Sequence, residues 1–253
     1  MERSRAPAPP APGEAPTVSV IVPCRGREAL LRRALDSLRA QTRSDWEAIV
    51  VDDASPRPLA PLVGSIGDPR LRVLRAERNL GPADARAAGL AHARGALAAL
   101  LDSDDRWRPD ALARQLARLR GGPPRILVAG ETGARGRPRR ASRPGERIAA
   151  YLFLANQHAQ ASGVIGPRDG LSRAGFGGLR QYEDWHLLVR AEAMGLPVEA
   201  TADPLVRRGD EDAGGRLSAR DDPTRAAAFL AALGDALRPA ERAAFVLRIL
   251  APA

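Results

Sequence analysis

The chain contains no lysine, so all 39 of its basic side chains are arginine. That absence excludes chemistry that needs a side-chain amine, such as Schiff-base formation or the lysine of a P-loop phosphate clamp. A single cysteine, Cys24, excludes an intrachain disulfide and a multi-cysteine metal centre, and it suits a reducing, cytoplasmic setting. No apolar run approaches the roughly 20 residues needed to cross a bilayer, and a signal-peptide core is lacking at the N-terminus. Aromatic residues make up only 4% of the 253. A basic stripe interleaved with stacking aromatics is therefore missing, which argues against a nucleic-acid partner despite a net charge of +9. The arginines are scattered over polar helix faces. Compositional bias accounts for most of that charge, and attraction to phosphorylated substrates or an anionic membrane surface for the remainder.

The chain does have strongly patterned segments. Residues 1–16 are proline-rich and lack apolar periodicity, the composition of a disordered leader. Short, β-branched or apolar runs at 18–23, 46–51, 71–74 and 96–101 read as strands. Between the first two, Leu30, Leu31, Ala34, Leu35 and Leu38 fall at helical spacing, after a polar turn at Arg25-Gly26-Arg27. Residues 83–93 are strong helix formers, and Pro109 opens a helix with Leu112, Leu116 and Leu119 on one face. Strands alternating with helices predict an α/β domain whose sheet is mostly parallel, with ligands bound at the carboxyl ends of the strands.

Carboxylates stand at those ends. The run at 97–101 empties into Asp102-Ser103-Asp104-Asp105, and the second strand ends in Asp52 and Asp53. Like charges this close raise one another's pKa unless a cation or hydrogen-bond donors neutralise them. An all-oxygen set suits a hard divalent ion, Mg²⁺ or Mn²⁺, shared with substrate phosphates. Helix capping is the competing use of any single Asp, and Asp105 in particular reads as a cap. Two acidic strand ends in one half of one domain exceed what capping requires.

In order and separation, VSVIVP, AQTRSDWEAIVVDDAS, RNLGPADARAAG and LLDSDDRWRPDAL resemble the nucleotide-sugar-binding half of a family 2 glycosyltransferase. Further on, Gln181-Tyr182-Glu183-Asp184-Trp185 resembles that family's acceptor-site acidic pair, whereas residues 121–165 match poorly. The resemblance implies a single-domain GT-A fold, Rossmann-like, with a donor half at 17–120, an acceptor half at 121–215 and a helical segment at 216–253. It also implies transfer of a sugar from a nucleoside-diphosphate sugar, most often a UDP-sugar, to a glycan or lipid-linked acceptor in cell-surface polysaccharide synthesis. Mn²⁺ or Mg²⁺ would be the cofactor, and a cytoplasmic protein could make peripheral contact with the inner face of a membrane. Residue by residue, Pro23, Asp52, Asp53, Arg86, Asp102 and Ser103 would contact the donor, Asp104 and Asp102 the metal, and Asp184, beside Glu183, would be the general base of an inverting transfer. The sequence departs from the family at Ala87, where Asn is usual, and at Gly177-Gly178, where Asp-Glu is usual. Those losses keep a non-catalytic, nucleotide-sugar-binding scaffold as an alternative. A nucleotidyltransferase is the weaker one, because Pro23-Cys24-Arg25-Gly26-Arg27 supplies neither a glycine-rich loop nor a lysine.

Overall fold

The computed structural model describes residues 15–132, 140–209 and 222–250; most of the proline-rich leader and the expected 215/216 boundary lie outside the described residues. Strands β1 (Val18–Cys24), β2 (Trp46–Asp52), β3 (Leu71–Arg75) and β4 (Leu97–Leu100) pair in parallel in the order β3-β2-β1-β4. Period-two alternation sorts their side chains between two core layers. Val20, Val22, Ala48, Val50 and Ala99 enter one layer, and Ile21, Ile49, Val51, Ala98 and Leu100 the other. The apolar runs are continuous because helices cover both faces. Over the first lie α1 (Glu28–Arg39), α2 (Ala60–Ile66) and α4 (Ala111–Leu119), which bury Leu31, Leu35 and Leu38, Val63, and Leu112 and Leu116. The opposite layer is built by α3 (Pro82–Ala91), α5 (Arg168–Ala174), α6 (Glu183–Ala193), α7 (Pro223–Leu233) and α8 (Pro239–Leu250).

Beyond β4 the same sheet runs on through β7 (Val164–Pro167), β6 (Ile126–Thr132), β8 (Val198–Arg207) and β5 (Arg106–Trp107), giving eight strands in all. Here the pairing is mixed. The contacts β4–β7, β6–β7 and β5–β8 are antiparallel, while β6–β8 is parallel. The two expected halves therefore share one continuous sheet, joined where Ala98 and Ala99 pair with Gly166 and Ile165. Among the described residues no helix is long and apolar enough to cross a membrane.

Close contact between α3 and the sheet is made possible by Gly89. A Cβ there would collide with Ile21 Cγ2 and lie 3.1 Å from Val51 Cγ2. Alanine is the better helix former by about 1 kcal/mol, but overpacking a core costs about 1–3 kcal/mol. Gly89→Ala is therefore expected to lower stability by up to about 2 kcal/mol, read as a lower urea midpoint at unchanged m-value.

Candidate active site

A cavity of about 610 Å³ opens at the carboxyl ends of β1, β2 and β4. Pro23, Asp53, Arg86, Asp102, Ser103, Asp104, Glu183 and Asp184 all line it. Asp52 is the one expected donor contact that does not. It is fully buried, its Oδ1 accepts from the Ser55 amide (2.9 Å), and its Oδ2 accepts from the Leu59 amide (3.0 Å) and Arg75 Nη1 (2.5 Å). Asp52 thus ties down the loop after β2, and its neighbour Asp53 faces the cavity. Asp53 accepts from the amides of Leu80 (2.5 Å) and Gly81 (3.0 Å), which fixes the turn leading into α3.

The acidic loop after β4 rests on a residue from a distant segment. Ser162, in a 3₁₀ turn at Ala161–Gly163, accepts from the Asp102 amide (3.0 Å) and donates to Asp105 Oδ2 (2.7 Å). Trp107 packs beneath the loop and donates from Nε1 to the Ser162 carbonyl (2.7 Å). The other oxygen of Asp105 accepts from the Gly209 amide (3.1 Å). Asp105 is therefore no helix cap; it is a buried brace under the loop. Burial, reinforced by the charge of Asp102, pushes its pKa up to about 7. Carboxylate oxygens of Asp102, Asp104 and Asp105 lie within 4.8 Å of one another. That compact, oxygen-only set fits a hard divalent cation. With Asp105 turned to Ser162 and Gly209, Asp102 and Asp104 are the members best placed to hold one.

Arg86 connects this loop to the far wall. It is 4% exposed, its Nη2 donates to Asp102 Oδ1 (2.6 Å), and its Nη1 donates to Glu183 Oε1 (2.7 Å). Arg86 lines the cavity, and its guanidinium is clamped between two carboxylates, holding the two acidic motifs together. Glu183 and Asp184 begin α6. A helix N-terminus favours carboxylate charge, yet burial and then the charge of Glu183 outweigh it and raise the Asp184 pKa to about 7.

Tyr182, just before that helix, holds a left-handed backbone (φ 64°) unusual for a bulky residue. Its ring is gripped by Trp185, Phe229 and Phe245, with centroids 5.4–5.6 Å away. Trp185 is core, and it also meets the cavity, where His158 stacks edge-on against it. His186 is structural: buried, pKa lowered by desolvation, and packed over Gly177, where a Cβ would lie 2.9 Å from its Nε2. Gly177 and Gly178 both have positive φ, so the missing Asp-Glu pair reflects a backbone requirement. Ala87 is exposed and does not line the cavity. The Cys24 thiol donates to the Gly26 carbonyl (2.9 Å), and burial pushes its pKa up to about 11, which leaves it unreactive.

Ser162, Arg27, Arg180, Arg208 and Arg248 also belong to the site or its support, and no motif marked them. Ser162→Ala would strip partners from the Asp102 amide and the Asp105 carboxylate. An unsatisfied buried group costs about 1–3 kcal/mol, so a loss of that size is expected in chemical denaturation.

The glycosyl transferase family 2 profile matches residues 19–176. The succinoglycan biosynthesis protein ExoO of Rhizobium meliloti is 41% identical over 120 residues, 47% of this chain; that stretch is 34% of ExoO, so the chain spans about a third of that relative. Among solved structures, S. aureus TarS 1-349 in complex with UDP-GlcNAc superposes with a TM-score of 0.69 at 22% identity, covering 92% of this chain and 71% of TarS. The mannosyltransferase PcManGT from Pyrobaculum calidifontis, in complex with GDP-Man and Mn²⁺, gives 0.63 at 24%, covering 81% and 60%. At these identities the structural likeness speaks for the GT-A fold. The profile match spans more than half of the sequence, and with it the acidic strand ends and the mixed eight-stranded sheet find their place: the chain belongs to glycosyl transferase family 2.

Proposed function

We propose that the protein transfers a sugar from a nucleoside-diphosphate sugar to an acceptor hydroxyl, with inversion at the anomeric carbon and with help from a divalent cation. The observation that carries this reading is the Arg86 bridge, which puts a donor-side and an acceptor-side carboxylate on one guanidinium in one cavity. UDP is the favoured carrier, in line with the UDP-GlcNAc in TarS; the GDP-Man in PcManGT makes GDP the next to try. The acceptor is a growing cell-surface glycan, free or lipid-linked, as the biosynthetic role in ExoO's name suggests. A basic surface would aid peripheral contact with an anionic membrane.

The nucleoside lies along the ends of β1 and β2, with its base toward Pro23 and Asp53. Asp53 is already held by two amides and keeps lone pairs for a base N–H. Asp102 and Ser103 face the ribose and the diphosphate. Bound by Asp102 and Asp104 together with the diphosphate, Mn²⁺ or Mg²⁺ would neutralise charge on the departing nucleoside diphosphate. Across the cavity Asp184 takes the proton of the acceptor hydroxyl as it attacks. A carboxylate with a pKa of about 7 is a far better base than an exposed one, yet it is still half ionised at neutral pH. Glu183, paired with Arg86, shapes the acceptor pocket, and its charge adds to the burial that raises the Asp184 pKa. One base opposite one leaving group gives a single in-line displacement, hence inversion.

A nucleoside diphosphate with Mn²⁺ is expected to raise the melting temperature, UDP most of all, because the ligand binds only the folded state. No shift with any nucleoside diphosphate would sink the transferase reading. Asp104→Asn should abolish the metal-dependent part of that shift. Asp184→Asn should keep it and lower kcat by about 10²–10⁴-fold, the usual contribution of a general base. Full turnover in Asp184→Asn would reject the base assignment.

The pH profile has a definite sign. Asp184 must be ionised to accept a proton, so kcat/KM should fall about tenfold for each pH step below 7 and level off above it. A profile flat from pH 5 to 8 would contradict this.

A further inference from the structure

We propose that Arg27 is a resident cation of the metal site, which gives up Asp104 when a divalent ion binds and then engages the diphosphate of the donor. The inference rests on the reading of Asp102 and Asp104 as metal ligands. Arg27 Nη1 lies 3.3 Å from Asp104 Oδ2, bridging 77 residues of sequence. The two side chains are 35% and 19% exposed, so water screens the pair and the contact is weak enough to exchange. The two ends of the acidic loop are thus neutralised differently. Arg86 holds Asp102 from the buried side, and Arg27 holds Asp104 from the open side.

The backbone under Arg27 is fixed. The Gly26 amide donates to Ser55 Oγ (2.9 Å) and the Gly26 carbonyl accepts from the Cys24 thiol (2.9 Å). Gly26 and Arg27 both have left-handed φ, 67° and 56°. An arginine keeps such a conformation only where its surroundings hold it. Arg27 stands at the N-cap of α1 and makes no side-chain capping bond, so its guanidinium is turned to the cavity, which it lines.

A divalent ion at Asp104 would repel the guanidinium it meets, while the arriving diphosphate would attract it. A planar guanidinium also matches phosphate oxygens in a two-pronged contact. Arg27 therefore opposes the metal in the free protein and supports the donor in the complex, which favours entry of the cation together with the nucleotide.

The test measures Mn²⁺ binding to the whole chain by electron paramagnetic resonance, in the wild type and in Arg27→Gln, Arg27→Lys and Asp104→Asn. Removing a unit charge a few ångströms from a cation site should tighten Mn²⁺ alone by about three- to tenfold in Arg27→Gln. UDP at saturating Mn²⁺ should bind that variant about tenfold more weakly, the loss expected for one charge-assisted contact. Arg27→Lys should stay near the wild type for the metal. A merely loosened loop would weaken both ligands, so the opposite signs are diagnostic. Unchanged or weaker Mn²⁺ binding in Arg27→Gln, with binding lost in Asp104→Asn, overturns the Arg27 inference alone, as does undiminished UDP affinity. Mn²⁺ binding that survives Asp104→Asn, or that is absent in every variant, overturns the metal-ligand reading and the inference with it.

Discussion

Arg86 sits on α3 with its charge out of water and satisfies that charge with two carboxylates, Asp102 from the end of β4 and Glu183 from the start of α6. Removing one partner of such a buried set leaves an uncompensated charge, typically at a cost of about 3–5 kcal/mol. The three groups are therefore held together, and with them the parallel half of the sheet and the helical layer that carries Asp184. The bridge also leaves a particular electrostatic pattern. Asp102 and Glu183 share a guanidinium, whereas for Asp184, next in line, burial and the charge of Glu183 outweigh the pull of Arg86 and its pKa climbs to about 7.

The helix carrying Asp184 is buttressed by most of the aromatic side chains the protein has. Five of the nine, Phe153, Tyr182, Trp185, Phe229 and Phe245, form one cluster against α6, with contributions from α7 and α8. Edge-on and tilted ring contacts of this kind add directional packing to plain burial. They hold Tyr182 in its left-handed backbone, and that residue sets the entry angle of Glu183 and Asp184 into the cavity. Arg248 of α8 lies over the Trp185 ring (5.1 Å) and donates to the carbonyls of Leu152 and Gln157, so the last described helix contributes to the cavity wall.

Exclusive use of arginine suits this design. A guanidinium presents several donors in a rigid plane and can satisfy two acceptors at once, as Arg86, Arg75 and Arg248 each do. A lysine at position 86 would offer a single ammonium centre to two carboxylates on different elements, and the bridge would be lost.

The alternating apolar runs, the helix periodicities and the acidic strand ends are local properties, and they suffice for the parallel half of the sheet and the family; eight of the nine residues they single out line one cavity. Side-chain period and backbone sterics act over a few residues, so a short window of sequence carries them. Asp52 and Asp53 show where such reading stops: both end the same strand, and one step of the chain turns the first into the loop and the second into the cavity. The antiparallel extension, the Ser162 brace under Asp105, the Arg27–Asp104 pair and the double engagement of Arg86 join positions 16 to 104 residues apart. None of these is a property of a segment. They exist because the continuous sheet brings strand ends, a 3₁₀ turn and a helix start to one point, and the burial there that raises the pKa of Asp105 and of Asp184 arises only once the chain has folded.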